Sequence, residues 1–198
     1  MQDFWNERYN SVEAAYGKEP NVFLMEALEA LSVRLGGPGT LLLPCDGEGR
    51  NAVGAARAGW QVRSFDYSST GVELTCTEAD AWAFEPEAPA DVVALIYAHM
   101  PAAKRADFHK RAASWLRPGG YLLLEGFHPD QIHNAHPSGG PRDLAMLFTP
   151  ELLFRDFVDG AGLEILRLEH LETELAEGEF HRGPAAVTRL IAQKPLDS

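Results

Sequence analysis

The chain has 198 residues, 45% of them apolar and 23% charged, a balance that suits one soluble globular domain with a substantial core. Its formal net charge is −12 and no run of lysines or arginines appears, which argues against a nucleic-acid or anionic-membrane surface, since phosphate binding rests on basic patches. No apolar run approaches the roughly 18 residues of a membrane span, and the polar, aromatic start MQDFWNERYN does not read as a leader peptide, so a cytoplasmic protein is expected.

Residues Met1 to Pro20 carry Phe4, Trp5, Tyr9 and Tyr16 among charges. Rings in such number look for a surface to cover. The segment either packs on the sheet's edge as a helix or closes over a ligand as a lid, and in the second case Trp5 and Tyr16 face the substrate. Asn21 is placed to cap a helix from Val22 to about Leu35, with Phe23, Leu24, Leu28 and Leu31 on one face. Gly36-Gly37-Pro38-Gly39 ends it.

Thr40 to Leu43 read as a buried parallel strand. The chain then turns through Pro44-Cys45-Asp46-Gly47-Glu48-Gly49 and continues as an Ala-rich helix from about Asn51 to Ala58. Strand, glycine turn and helix N-terminus in that order grip nucleotide-like ligands, because glycine lets backbone approach the ligand and the first helical N–H groups face it. The turn does not spell G-x-G-x-x-G: Cys45 stands where the first glycine would fall. Asp46 and Glu48 flank Gly47, and acids crowded there repel a pyrophosphate but suit a cationic ligand. S-adenosylmethionine, with its sulfonium and ammonium, is such a ligand; a nicotinamide dinucleotide is not.

Gln61 to Phe65 form a second strand closed by Asp66, an acid about 20 residues past the glycine turn, where a ribose diol would be held; a turn or cap aspartate is the plainer alternative. Only Tyr67 to Gly71 separate Asp66 from the next strand-like run, Val72 to Thr77, whereas a parallel crossover needs about a dozen residues. Three explanations stay open: an antiparallel hairpin, a strand given to a neighbouring protomer, or a lost helix. Short hinges favour exchange, so a homodimer with exchanged elements is the hypothesis.

Asp80-Ala81-Trp82 stands at a strand end. Asp91 to Ile96 is a continuous apolar strand leading into Tyr97-Ala98-His99-Met100-Pro101 at the carboxyl edge, where ligands of open α/β sheets bind. Lys104 to Trp115 reads as an amphipathic helix, Tyr121 to Glu125 as a strand, about Pro150 to Gly160 as a helix, and Leu163 to Leu171 and Ala185 to Ala192 as the last strands. Cys45 and Cys76 have no metal spacing and read as reduced core thiols. His128, His133 and His136 share one loop, but their spacing matches no zinc pattern, so no metal is expected.

The ordered set of DGEGRN (Asp46 to Asn51), Phe65-Asp66, Ala79-Asp80-Ala81 and Leu116-Arg117-Pro118-Gly119-Gly120-Tyr121 running on to Leu124-Glu125 resembles the class I S-adenosylmethionine-dependent methyltransferases. The GEGRNA run, with FWNERY and YGKEPNVFL, is similar to the branch of tellurite-resistance and thiopurine-type methyltransferases. The resemblance spans nearly the whole chain and implies a Rossmann-like three-layer α/β sandwich. Its sheet would be mostly parallel and seven-stranded with an antiparallel last strand, here with a shortened crossover between the second and third strands. The chain would be a single methyltransferase domain over 1–198, with an N-terminal helical or lid segment at 1–38 and the core at 39–198. Two departures are Leu43, where the family has an acid, and Cys45, where it has a glycine.

Position by position, the resemblance implies Gly47 and Gly49 behind the methionine moiety, Asp66 on the ribose, Tyr67 beside the adenine and Asp80 near its amino group. Cys45, Asp46, Arg50, Asn51, Ala81 and Tyr97 complete the cofactor set. Arg50 or Arg8 is the candidate cation for the cofactor's carboxylate. Methyl transfer needs alignment and exclusion of water, and a base only if the acceptor must lose a proton. His99 is the candidate base, and His128 and His181 are further candidates for the substrate pocket. The expected reaction is methyl transfer to a small thiol, oxyanion or similar acceptor. The alternatives are a cofactor-binding or assembly protein without turnover, and a nicotinamide-dependent oxidoreductase.

Overall fold

Apolar side chains alternate along the three central strands, and that alternation builds the layers. A computed structural model describes residues 17, 19–66, 76–133, 138–178 and 181–196, excepting the side chains of 76–78. Strands β1 (Thr40–Pro44), β4 (Ala90–Ile96) and β5 (Leu116–Phe127) send Leu41, Leu43, Val92, Ala94, Tyr121 and Leu123 to one face. There they meet Phe23, Leu24, Leu28 and Leu31 of α1 (Val22–Leu35) and Ala52 and Ala55 of α2 (Arg50–Arg57). Leu42, Val93, Leu95, Leu122 and Leu124 point the other way, onto Phe108 and Ala112 of α3 (Ala102–Ser114) and Leu153 and Phe157 of the segment beginning with α5 (Pro150–Phe154). Helix, sheet and helix thus form three layers. Helix α1 is part of the packed core, which assigns this piece of the N-terminal region to packing; residues 1–16, on which the lid expectation falls, lie outside the described residues.

The strand order is β3-β2-β1-β4-β5-β7-β6, with β2 at Gln61–Asp66, β3 at Cys76–Glu78, β6 at Glu164–Ala176 and β7 at Arg182–Gln193. The first five run parallel to one another, and β7 lies antiparallel to both of its neighbours. The order reverses between β1 and β4, and such a switch point opens a crevice at the carboxyl ends of the strands.

The region after Asp66 differs from its sequence reading. β3, described over Cys76–Glu78, pairs in parallel with β2 of the same chain (Ser64 opposite Cys76, Asp66 opposite Glu78). An antiparallel hairpin is therefore not the solution. The connecting residues 67–75, Tyr67 among them, lie outside the described set.

Two further differences have local causes. The Pro118-Gly119-Gly120 turn is a bulge inside β5, where the pairing with β4 shifts between Ala90 and Val92. A Cβ on Gly120 would lie 2.9–3.1 Å from three backbone oxygens, so only glycine lets the strands approach there. After α5 the helix widens into a π turn at Arg155–Asp159. Asp156 within it accepts from Arg105 Nε at 2.8 Å and pairs with His109 Nδ1 at 2.9 Å, two buried partners on α3. Such widened turns commonly aim a side chain that a regular helix would turn away.

Candidate functional site

The turn after β1 is built from left-handed backbone. Cys45, Gly47 and Gly49 have φ of 58°, 60° and 82°, and Cys45 bears the cost that a side chain carries in this region. Its amide donates to the Phe65 carbonyl at 2.8 Å, so the β1–β2 pairing extends one residue into the turn. Asp46 then bridges to the helix that follows: its Oδ1 accepts from Asn51 Nδ2 at 2.9 Å and its Oδ2 from the Ala52 amide at 3.1 Å. Across the turn, the Gly47 amide donates to Oδ2 of Asp66 at 2.9 Å. The glycine turn and the acid at the tip of β2 are thereby in direct contact at the carboxyl edge of the sheet.

The electrostatics of this turn are negative. Burial pushes the Asp46 carboxyl up to about 7; the Asp66 charge adds to the rise, while the bonds from Asn51 and Ala52 and the charge of Arg50 offset part of it. Burial, followed by the charges of Asp66, Asp46 and Asp80, raises the Cys45 thiol far above its ordinary range, so Cys45 is a neutral thiol and no nucleophile. A cation placed here would relieve the crowding of acids, whereas a pyrophosphate would add to it.

Beside the turn lies a buried polar cluster that joins the start of α1, the start of α2 and the ends of β4, β5 and β6. Asn21 caps α1 through Oδ1, which accepts from the Leu24 amide at 2.8 Å, and donates from Nδ2 to Glu125 Oε1 at 2.7 Å and to Glu177 Oε1 at 2.8 Å. Its own amide donates to Oδ1 of Asn51 at 2.9 Å. Glu125 also accepts from the Tyr97 hydroxyl at 2.9 Å and pairs with Arg189 Nε. Burial, then the neighbouring charges of Glu125 and Glu177, holds the Tyr97 phenol well above its usual range, so it stays protonated as a donor. Tyr97, at φ 53°, has its ring centroid 4.8 Å from Phe127 and 4.5 Å from His181, and His181 lies 5.4 Å from Phe127.

Several residues singled out from the sequence stand elsewhere than expected. His99 is not placed as a base. Its Nδ1 bonds the Met146 carbonyl at 2.8 Å, and its Nε2 receives the Phe127 amide at 3.1 Å, which fixes the Nδ1–H tautomer and occupies both nitrogens. The ring stacks on Phe148 at 4.4 Å, and burial lowers its proton affinity to about 4, so it is neutral and structural. Arg50 is not presented to a ligand carboxylate either. Nη2 lies 2.5 Å from Glu177 Oε2 and Nη1 donates to the Glu19 carbonyl at 2.8 Å.

Asp80 is exposed and its Oδ1 accepts from the Trp82 amide at 2.9 Å, while its charge still reaches Cys45. Ala81 is buried against the core face of α3. His128 stands just beyond β5, ring against ring with His170 at 3.6 Å, and not in the Tyr97 cluster. His181 is in that cluster, its Nδ1 3.7 Å from Glu177 Oε2. Trp5, Arg8 and Tyr16 lie outside the described residues. Asn21, Glu177, Arg189 and His170 had no motif to mark them: Asn21 read only as a cap, and the other three sit in strands or strand ends without a local pattern. A groove lined by Glu19, Pro20, Val22, Met25 and Trp60 runs between α1 and the end of α2 and takes in none of the turn residues.

No model of a known protein family matches the sequence, and no curated protein matches it either. Solved structures do. Magnesium protoporphyrin IX methyltransferase from Synechocystis, with bound S-adenosylhomocysteine, aligns with a TM-score of 0.67 at 17% identity over 98% of this chain and 97% of that one. TehB from Haemophilus influenzae aligns at 0.66 and 18% identity over 98% of this chain and 66% of its own. The [4+2]-cyclase SpnF aligns at 0.61 and 15% identity over 87% and 81% of the two chains. The strand order, the glycine turn clasped to Asp66 and these alignments together give the chain the fold of the class I S-adenosylmethionine-dependent methyltransferases.

Proposed function

We propose that the chain is an enzyme that binds S-adenosylmethionine and transfers its methyl group to a small-molecule acceptor, and that it does so as one domain. The observation that carries this reading is the contact between the Gly47 amide and Asp66 within a ring of acids, since a glycine turn so charged fits a cationic nucleoside. Solved proteins of this fold hold S-adenosylhomocysteine or S-adenosylmethionine, which supports the choice.

The residues present fit that cofactor. Asp66 is assigned to the ribose hydroxyls, Gly47 and Gly49 to the methionine portion, Asp80 to the adenine side, and Tyr97 to the floor beyond the turn. Arg50 is withdrawn from the cofactor's carboxylate because Glu177 holds its guanidinium. The bound cofactor would supply a methyl group on a positive sulfur; the chain supplies placement and exclusion of water. The corner formed by Tyr97, Phe127 and His181 is assigned to the acceptor, a thiol, an oxyanion or a similar small nucleophile, and His181 replaces His99 as the group that orients it or takes a proton.

Incubation with methyl-labelled cofactor and a panel of thiols and oxyanions tests the reading, with His181→Ala expected to lower turnover while leaving cofactor affinity within about twofold. A second reading is that the cofactor is held without methyl transfer. The alignment with a [4+2]-cyclase favours keeping it, because one fold hosts different chemistries. Tight cofactor binding with no label transferred to any acceptor would support that reading.

A further inference from the structure

We propose that His128, Asp130 and His170 form a binding site for a divalent transition-metal cation of the zinc, cobalt and nickel class, joining the exit of β5 to the edge strand β6. The site stands apart from the cofactor turn and does not depend on the methyl-transfer reading.

Three segments meet there. The His128 amide donates to the Ala186 carbonyl at 2.9 Å, which ties the first residue after β5 to strand β7. Asp130 opens the helical turn α4 (Asp130–His133), and His170 lies in the middle of β6 opposite Thr188. One carboxylate oxygen, Oδ2 of Asp130, lies 3.4 Å from His128 Nδ1 and 3.3 Å from His170 Nε2. One nitrogen or oxygen from each of the three residues falls within 4.8 Å of the other two.

These separations are longer than a normal hydrogen bond between a ring nitrogen and a carboxylate. They match the edge of a ligand tetrahedron, about 3.3–3.5 Å for bonds of about 2.0–2.1 Å. His133 adds a fourth possible ligand, its Nδ1 being 3.7 Å from Oδ1 of the same aspartate.

The imidazoles are suited to ligation for a second reason. Their centroids are 3.6 Å apart with planes 16° off parallel, so protonating both would set two positive charges face to face. A metal ion turns the two rings out of their stack about χ2 until both lone pairs converge. It displaces one contact, the 3.1 Å bond from the Asp130 amide to His128 Nδ1. Two imidazoles and one carboxylate select borderline cations over magnesium or calcium, which take all-oxygen sets.

The test uses the full chain, freed of any affinity tag and stripped with chelator. Zinc chloride is titrated by calorimetry, cobalt(II) by its visible absorption, and both are repeated on His170→Ala and Asp130→Asn. The expected result is one equivalent bound, a cobalt spectrum of low coordination number, and affinity at least about tenfold weaker in each variant. A rise in thermal midpoint with zinc is expected in the parent and not in His170→Ala. No binding, equal binding in parent and variants, or a stronger response to magnesium than to zinc would overturn the proposal. Circular dichroism of the metal-free variants confirms that each is folded, since both substitutions fall at partly exposed positions.

Discussion

Glu177, at the close of β6, holds Arg50, at the first position of α2, with Nη2 and Oε2 2.5 Å apart and both side chains less than a tenth exposed. The pair fastens the far edge of the sheet to the helix that backs the glycine turn. Burial pushes the Glu177 carboxyl up, but the neighbouring His181 ring and the charge of Arg50 outweigh it and hold the group below its ordinary value.

Removing one member of such a pair leaves a buried charge without compensation. Arg50→Met is expected to destabilise the fold by about 3–5 kcal/mol, and the double variant Arg50→Met, Glu177→Gln by clearly less. Urea unfolding measures both. Because the folded carboxyl lies below the unfolded one, the contribution is complete above the ordinary 4.5 and declines as pH falls through the lowered folded value.

His99 gives a prediction with a spectroscopic readout. Its proton affinity is lowered to about 4, so its ring signals should not titrate between about pH 5.5 and 8, and its nitrogens should report the Nδ1–H tautomer. The unfolded imidazole charges near its ordinary 6.5 and the folded one only near 4. Stability is therefore full above the unfolded value and falls by about 3 kcal/mol as pH drops across that window. A titration of His99 near 6.5 would restore it as a candidate base.

Asp46 carries the opposite sign. An acid raised from 3.8 to about 7 holds its proton more tightly folded than unfolded, so stability declines as pH climbs from about 4 to about 7 and levels off above. A cation bound beside it lowers that value and expels the proton. Calorimetry at pH 7 in buffers of different ionisation enthalpy should show proton release on binding S-adenosylmethionine, and less on binding the uncharged thioether S-adenosylhomocysteine. Asp46→Asn should abolish the difference.

Asp66→Ala removes the oxygen that receives the Gly47 amide and the group assigned to the ribose. A loss of about 1.5–3 kcal/mol in cofactor affinity is expected, the scale for bonds to a charged group. Unchanged affinity would place the ribose elsewhere.

Much of this architecture can be read from local pattern. The continuous apolar runs Leu41-Leu42-Leu43 and Val92-Val93-Ala94-Leu95 mark strands buried on both faces, Asn21 marks a helix start, and the acids around Gly47 mark the turn and its charge. Asp66 could be placed because strand-tip acids act within the same βαβ unit. What local pattern does not carry is pairing across the chain. Glu177 and Arg50 are 127 residues apart and Asn21 and Glu125 are 104, so neither partner announces the other. His99 read as a catalytic base because strand-end histidines sit at the right edge, and only the fold shows that Met146 and Phe127 take both its nitrogens. The link after Asp66 could not be resolved for a related reason: the strand that Cys76 to Glu78 pairs with, and the parallel direction of that pairing, are set by β2 and not by local composition.

The most direct test of the central claim is calorimetric titration of the full chain at pH 7.5 with S-adenosylmethionine, S-adenosylhomocysteine and NADH in parallel. Binding of the first two in the micromolar range, about −8 kcal/mol, with no heat from NADH is the predicted result. Binding of NADH with none of either adenosyl compound would contradict the account.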